Sequence, residues 1–249
     1  MNLKKVNNRQ NIRRSVMIVF LMLFPVVMNY LSPYVILYGA FQGIINGSFI
    51  LFILLFLSSL FLGRLWCAWI CPGGAMGEVC TLANNDPIKH EWMNYIKWVI
   101  WVVWLGLIAL LAYNAGGYTS IDPFLLTQNG VSVSEPAMYI IYYIVTGTFF
   151  LLAIFLGRRG GCHTICWMAP FMILGRKIRN IFAWPSFRLR AVPETCIACQ
   201  KCTRGCPMSL DVQGMVADNR MENAECILCA NCADVCPTDS IHFEFSSGK

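Results

Sequence analysis

The sequence predicts a membrane α-helical protein: a four-helix transmembrane bundle made of two repeated hairpins, followed by a small α+β module rich in cysteine. Three observations carry this. Hydrophobic residues make up 57% of the 249 and charged residues only 13%, about half the ~25% usual in soluble domains. The apolar residues gather into four stretches near the length of about 20 residues that a helix needs to cross a bilayer. The 13 cysteines fall mainly into two spaced pairs in the apolar part and two regular runs in the last quarter.

The first stretch, residues 16–31, follows a basic flank of Lys4, Lys5, Arg9, Arg13 and Arg14. Pro25 is expected to kink it. No small-residue cleavage motif follows, so it reads as a span and not as a removed signal. The others are residues 49–66, 98–112 and 138–156. Basic residues recur at Arg64, across 89–97, and at Arg158, Arg159, Arg176, Lys177 and Arg179. Residues 39–47 are uncharged, and 114–136 carry only Asp122 and Glu135. The positive-inside rule then puts both termini in the cytoplasm, which describes a multi-pass protein of the cell (inner) membrane. The same rule accounts for the net charge of +6, so the lipid bilayer is the expected partner and no nucleic acid is needed. Trp66, Trp69, Trp92, Trp167 and Trp184 lie near span ends and read as an interfacial belt.

The second and fourth stretches end alike. Phe61-Leu62-Gly63-Arg64 leads to Cys67-x3-Cys71-Pro72, and Phe155-Leu156-Gly157-Arg158 leads to Cys162-x3-Cys166, with one extra residue before the second pair. A duplicated helical hairpin follows. The expected units are a basic N-terminus (1–14), a first hairpin (15–114), a loop with the second hairpin (115–185) and the cysteine-rich module (190–249). Cysteines at i and i+4 share one helix face, so each pair is expected to act as a two-thiolate clamp. Two clamps at one depth would form a four-thiolate site of Cys67, Cys71, Cys162 and Cys166, with Arg64, Arg158 and Arg159 favouring thiolate. Such a site suits zinc or an iron–sulfur centre; the plain alternative is packing of buried cysteine. His163 stands inside the second pair as a ligand or hydrogen-bond partner. Cys80 has no counterpart in the repeat and reads as inert, and His90 and His242 carry no signal.

The last quarter holds Cys196-x2-Cys199-x2-Cys202-x3-Cys206-Pro207 and, starting 30 residues later, Cys226-x2-Cys229-x2-Cys232-x3-Cys236-Pro237. This is the bacterial ferredoxin spacing for two [4Fe–4S] clusters, in which the last cysteine of each run serves the other cluster. Cys196, Cys199, Cys202 and Cys236 are thus expected to hold one cluster, and Cys226, Cys229, Cys232 and Cys206 the other. Structural zinc does not use paired runs of this form, and disulfides would need an oxidising compartment. A module this small needs the clusters as its staple. Residues 210–212 and 241–245 are expected to pair as strands.

On these motifs the chain resembles the NapH/NosR-like polytopic membrane ferredoxins, which include CcoG-type proteins. Cys67, Cys71 and Pro72 match the family's membrane motif; Cys162 and Cys166 match it in part, since Trp167 stands where proline is expected and Pro170 follows later. The NosR type adds a flavin-binding periplasmic domain that this sequence does not show, so the resemblance is to the minimal NapH type. It implies electron transfer between the cytoplasmic clusters and a membrane redox site, either the quinone pool or an intramembrane metal centre. The partners would be other subunits of a membrane redox complex, such as a quinol dehydrogenase. The rival reading is a copper- or iron-handling assembly factor using the Cys-x3-Cys clamps, since thiolates also select Cu(I). No Gly-rich nucleotide fingerprint is present, so NAD or flavin would sit on a partner.

Overall fold

The computed structural model describes residues 3–88, 90 and 92–247, with only the backbone for 3–7. Lys89, within the expected basic stretch 89–97, lies outside the described residues, as do the side chains of Lys4 and Lys5. The chain begins with α1 (Leu3–Met22) and α2 (Phe24–Val27), followed by a 3-10 turn. Pro25 occupies the first turn of α2, where its missing N–H costs nothing. The chain bends there by 59°.

Next come α3 (Pro33–Gln42), β1 (Ile44–Asn46) and α4 (Gly47–Leu62). The Asn46 side chain caps α4 by accepting the Phe49 N–H. Short helices α5 (Leu65–Trp69) and α6 (Pro72–Val79) precede the long α7 (Met93–Asn114). After β2 (Ser120–Asp122), which pairs in parallel with β1, the pattern recurs as α8 (Met138–Leu156), α9 (Gly160–Thr164) and α10 (Ala169–Ile181). Among the described residues, α7 and α8 are long and apolar enough to cross a membrane, and the bent first pair makes a third span if counted as one. The stretch expected over 49–66 is shorter: α4 has 16 residues.

The sequence repeat is thus a repeat of structure, and it corrects one expectation. Gly63 (φ 60, ψ −131) ends α4 and Gly157 (φ 97, ψ −158) ends α8. Both fall where a side chain is not tolerated cheaply. A five-residue helix then starts in each copy, directly after Arg64 in one and after Arg159 in the other. The two cysteines of a pair do not share one helix face. Cys67 lies in α5, but Cys71 is the extended residue before α6, with φ −65 and ψ 120. Pro72 explains this, because the residue before a proline is pushed out of the helical region. Likewise Cys162 lies in α9 and Cys166 lies beyond its end. Each pair is carried by a broken helix.

Helix α10 packs against α4, closely enough that a Cβ at Gly175 would overlap the Ser59 hydroxyl. Phe171 on α10 meets Phe52, Trp101 and Trp104 edge-on. The chain then enters the cysteine module through β3 (Ser186–Ala191), followed by α11 (Lys201–Arg204), α12 (Val212–Ala217), α13 (Asn231–Asp234) and β4 (Ile241–Ser246). Strands β3 and β4 pair antiparallel from Ser186↔Ser246 to Ala191↔Ile241, with Phe187 stacked on Phe243. The expected pairing of 210–212 with 241–245 is not formed. Asp211 instead caps α12 by accepting the Gly214 N–H, a use of aspartate that competes with strand formation.

Candidate cluster sites

Cys196, Cys199, Cys202 and Cys236 line one small cavity of the module. Cys206, Cys226, Cys229 and Cys232 line another. The loops around them are matched in backbone as well as in sequence. Ala198, Gln200 and Ser209 have φ of 53, 59 and 54, and Leu228, Ala230 and Asp239 have φ of 57, 67 and 51. Each pair is separated by the same interval as the runs. Left-handed residues without glycine are costly and mark functional loops. Interleaved with residues of negative φ, such positions favour the backbone concavities that recur at anionic iron–sulfur sites. Four sulfur donors around each small cavity fit a four-iron cluster.

Burial pushes the Cys229 thiol up to about 12 and raises Cys206 and Cys232. Ligation must therefore displace protons. At Cys236, burial is outweighed by hydrogen bonds from Thr238 and Ser240, which lower it.

In the helical part, Cys67, Cys71, Cys162 and Cys166 are all buried. Cys67, Cys162 and Cys166 each lie within electrostatic reach of Cys71. The two broken helices meet directly, since Arg159 Nη1 donates to the Cys67 carbonyl at 2.8 Å. Cys71, Cys162 and Cys166 line a cavity of about 690 Å³. Its other walls are largely apolar and include Phe24 and Met28 from the bent segment and Ile141, Val145 and Phe149 from α8. Cys80 is buried apart from this set. Among the described residues, no three His, Cys, Asp or Glu side chains form a group suited to a single metal ion. A four-iron cube makes a different demand, because each thiolate binds a different iron and the sulfurs surround the cube.

His163 makes a hydrogen bond through one ring nitrogen. Its Nδ1 pairs with Asn94 Oδ1 at 2.8 Å, and its Nε2 is buried without a partner. Burial lowers its pKa to about 4, so the ring is neutral. Sequence reasoning did not foresee the carboxylates that tie the parts together. Glu78 on α6 binds Arg13 and Arg159 at 2.6 and 2.8 Å. Glu225, next to Cys226, binds Arg64 and Lys97 at 2.8 and 2.7 Å. Burial would raise the Glu225 carboxyl, but the two cations outweigh it and hold it at about 2. The scarcity of acids, 13 in the whole chain, was the available signal.

Two comparisons with known families fit this geometry. Residues 38–82, which contain Cys67, Cys71 and Cys80, match a family described as a 4Fe-4S binding domain. Residues 195–241 match one described as a 4Fe-4S dicluster domain. The chain accordingly carries two segments of 4Fe-4S ferredoxin type. Among whole proteins it is similar to YccM of Escherichia coli (strain K12), provisionally named an electron transport protein, with 21% identity over 216 residues. That alignment covers 83% of this chain and 58% of YccM. The uncharacterized protein MJ0750 of Methanocaldococcus jannaschii is 23% identical over 202 residues, covering 77% of this chain and 76% of the relative. Protein MJ0749 of the same organism is 23% identical over 193 residues, covering 73% and 64%. No solved structure matches.

Proposed function

We propose that the chain relays single electrons between cytoplasmic-side [4Fe–4S] clusters and a membrane redox site, as the NapH-like subunit of a larger membrane oxidoreductase. In this reading both termini face the cytoplasm, and α4, α7, α8 and the bent first segment sit in the bilayer as a four-helix bundle. The observation that carries it is the cavity beside Cys71, Cys162 and Cys166. At about 690 Å³ it falls within the range of cofactor and ligand pockets, and its apolar walls suit an isoprenoid quinone. The match of residues 38–82 to a 4Fe-4S binding family supports Cys67 and Cys71, with Cys162 and Cys166, as ligands of a third iron–sulfur centre. The name of YccM is in keeping with electron transfer.

A four-iron cluster, when bound, supplies a one-electron redox centre whose potential follows burial and hydrogen bonding. The residues of the chain do the rest. The Phe24, Val145 and Phe149 side chains would keep water from the quinone head. Arg64 and Arg159 would offset the charge of the thiolates.

The test uses anaerobically prepared, iron-replete protein in lipid vesicles, followed by EPR. Dithionite should raise four-iron signals, and these should either also arise with menaquinol or decay when menaquinone is added. Absence of any four-iron signal rejects the iron–sulfur reading; dithionite signals that neither arise with menaquinol nor decay with menaquinone reject the quinone half. Replacing Cys67→Ser and Cys162→Ser together should lower bound iron to that of two clusters and spare the ferredoxin signals. An unchanged iron content rejects the third centre.

A further inference from the structure

The two cluster loops are equivalent in sequence and backbone, yet they differ in what covers them. Ile197 in the first run is 63% exposed, whereas Ile227, its counterpart, is 2% exposed. Ala198, Gln200 and Lys201 are exposed, but Leu228 and Ala230 are buried. The second loop is covered by the helical part. Arg176 donates to the Cys226 carbonyl at 2.6 Å, Gln10 to the Cys229 carbonyl at 3.0 Å, and Arg158 to the Cys206 carbonyl at 3.3 Å. Arg159, at the cap of α9, lies within electrostatic reach of both Cys162 and Cys229. Among the described residues the first quartet shows no comparable set: the Cys199 carbonyl accepts from Arg204 of its own module.

We propose that the two ferredoxin sites have different jobs. The site of Cys206, Cys226, Cys229 and Cys232 is the inner relay, wired to the helical bundle. The site of Cys196, Cys199, Cys202 and Cys236 is the outer port, where a small soluble one-electron carrier protein docks on the rim around Ile197. This rests on the electron-transfer reading above and adds its order and its partner. The step is one electron: the carrier's reduced centre is oxidised as the outer cluster is reduced, or the reverse, with no bond made and no proton moved. An exposed isoleucine beside half-buried thiols fits such a partner. Short-lived carrier complexes need only a small apolar contact, and an open cluster edge lets the electron cross.

The test uses the full chain in lipid vesicles, with both clusters present, and a photoreduced small bacterial ferredoxin as probe. Ile197→Glu should slow electron exchange with the probe by about tenfold through a weakened encounter. Iron content, EPR amplitude and electron exchange with the quinone should stay unchanged. An unchanged exchange rate overturns the proposal. A soluble dysprosium chelate gives a second readout that needs no variant. It should speed the spin relaxation of one cluster signal and spare the other; equal effects on both overturn the proposal. Loss of every four-iron signal in the unaltered chain would instead overturn the underlying reading.

Discussion

Glu78 shows how much a single carboxylate does here. Its side chain, like those of Arg13 and Arg159, is largely buried, and it joins the first segment to the second repeat. Taking one partner out of a buried pair leaves uncompensated charge and costs about 3–5 kcal/mol. Glu78→Gln should therefore lower the thermal midpoint of helix loss markedly. The pH dependence has a defined sign. Burial would raise the Glu78 carboxyl, but Arg159 and Arg13 outweigh it and hold it below the usual range. Its contribution is then fully present above the unfolded value of ~4.3 and is lost as pH falls through the lower, folded value. Thermal melts followed by circular dichroism on the acid side should show a steeper loss in the parent than in Glu78→Gln. A parallel acid dependence in both proteins would refute the assignment. None of this was legible in the sequence. The ferredoxin cysteines announce themselves by spacing, but a lone glutamate acquires meaning only when folding brings two arginines to it.

At the scale of elements, the apolar lengths of α7 and α8 were readable, and so was the repeat that ends in Gly-Arg. The breaks after Gly63 and Gly157 were not, because hydrophobic periodicity does not report φ. The same blindness placed Cys67 and Cys71 on one helix face, although Pro72 was in view and its effect on the preceding residue is general. Residues 210–212 misled for another reason: an aspartate between two apolar residues reads as alternation but caps a helix. Gly63 is the joint most open to test. A Cβ there would meet Leu228 Cδ1 at 3.1 Å and Arg179 Nη1 at 3.3 Å, on top of a backbone conformation that costs about 1–3 kcal/mol for other residues. Gly63→Ala should loosen the seat of the second cluster loop. Limited proteolysis at residues 182–185, between α10 and β3, should then run faster than in the parent. Equal cleavage rates would show that the joint tolerates the side chain.

The whole molecule consists of a helical part that buries its own contacts and a module whose interior is largely cysteine loops. The composition predicted both, and the seam between them is written in ion pairs that composition does not reveal: Glu225 to Arg64 and Lys97, Glu222 to Arg176, and Asp234 to Arg9. Because a module this small depends on its clusters, iron chelation under reducing conditions should unfold β3–β4 and leave α7 and α8 intact. Hydrogen exchange would record rapid labelling of 186–247 beside continued protection of the long helices. Uniform protection after chelation would mean that the module holds itself together without metal. One dimension of the helical part bears on its surroundings. At ~1.5 Å per residue, the 16 residues of α4 rise only ~24 Å, against a hydrocarbon slab of about 30 Å. With α4 in the bilayer, as the proposed function has it, lipid beside that helix would pinch inward to meet it, and bilayers of shorter acyl chains would be its natural match.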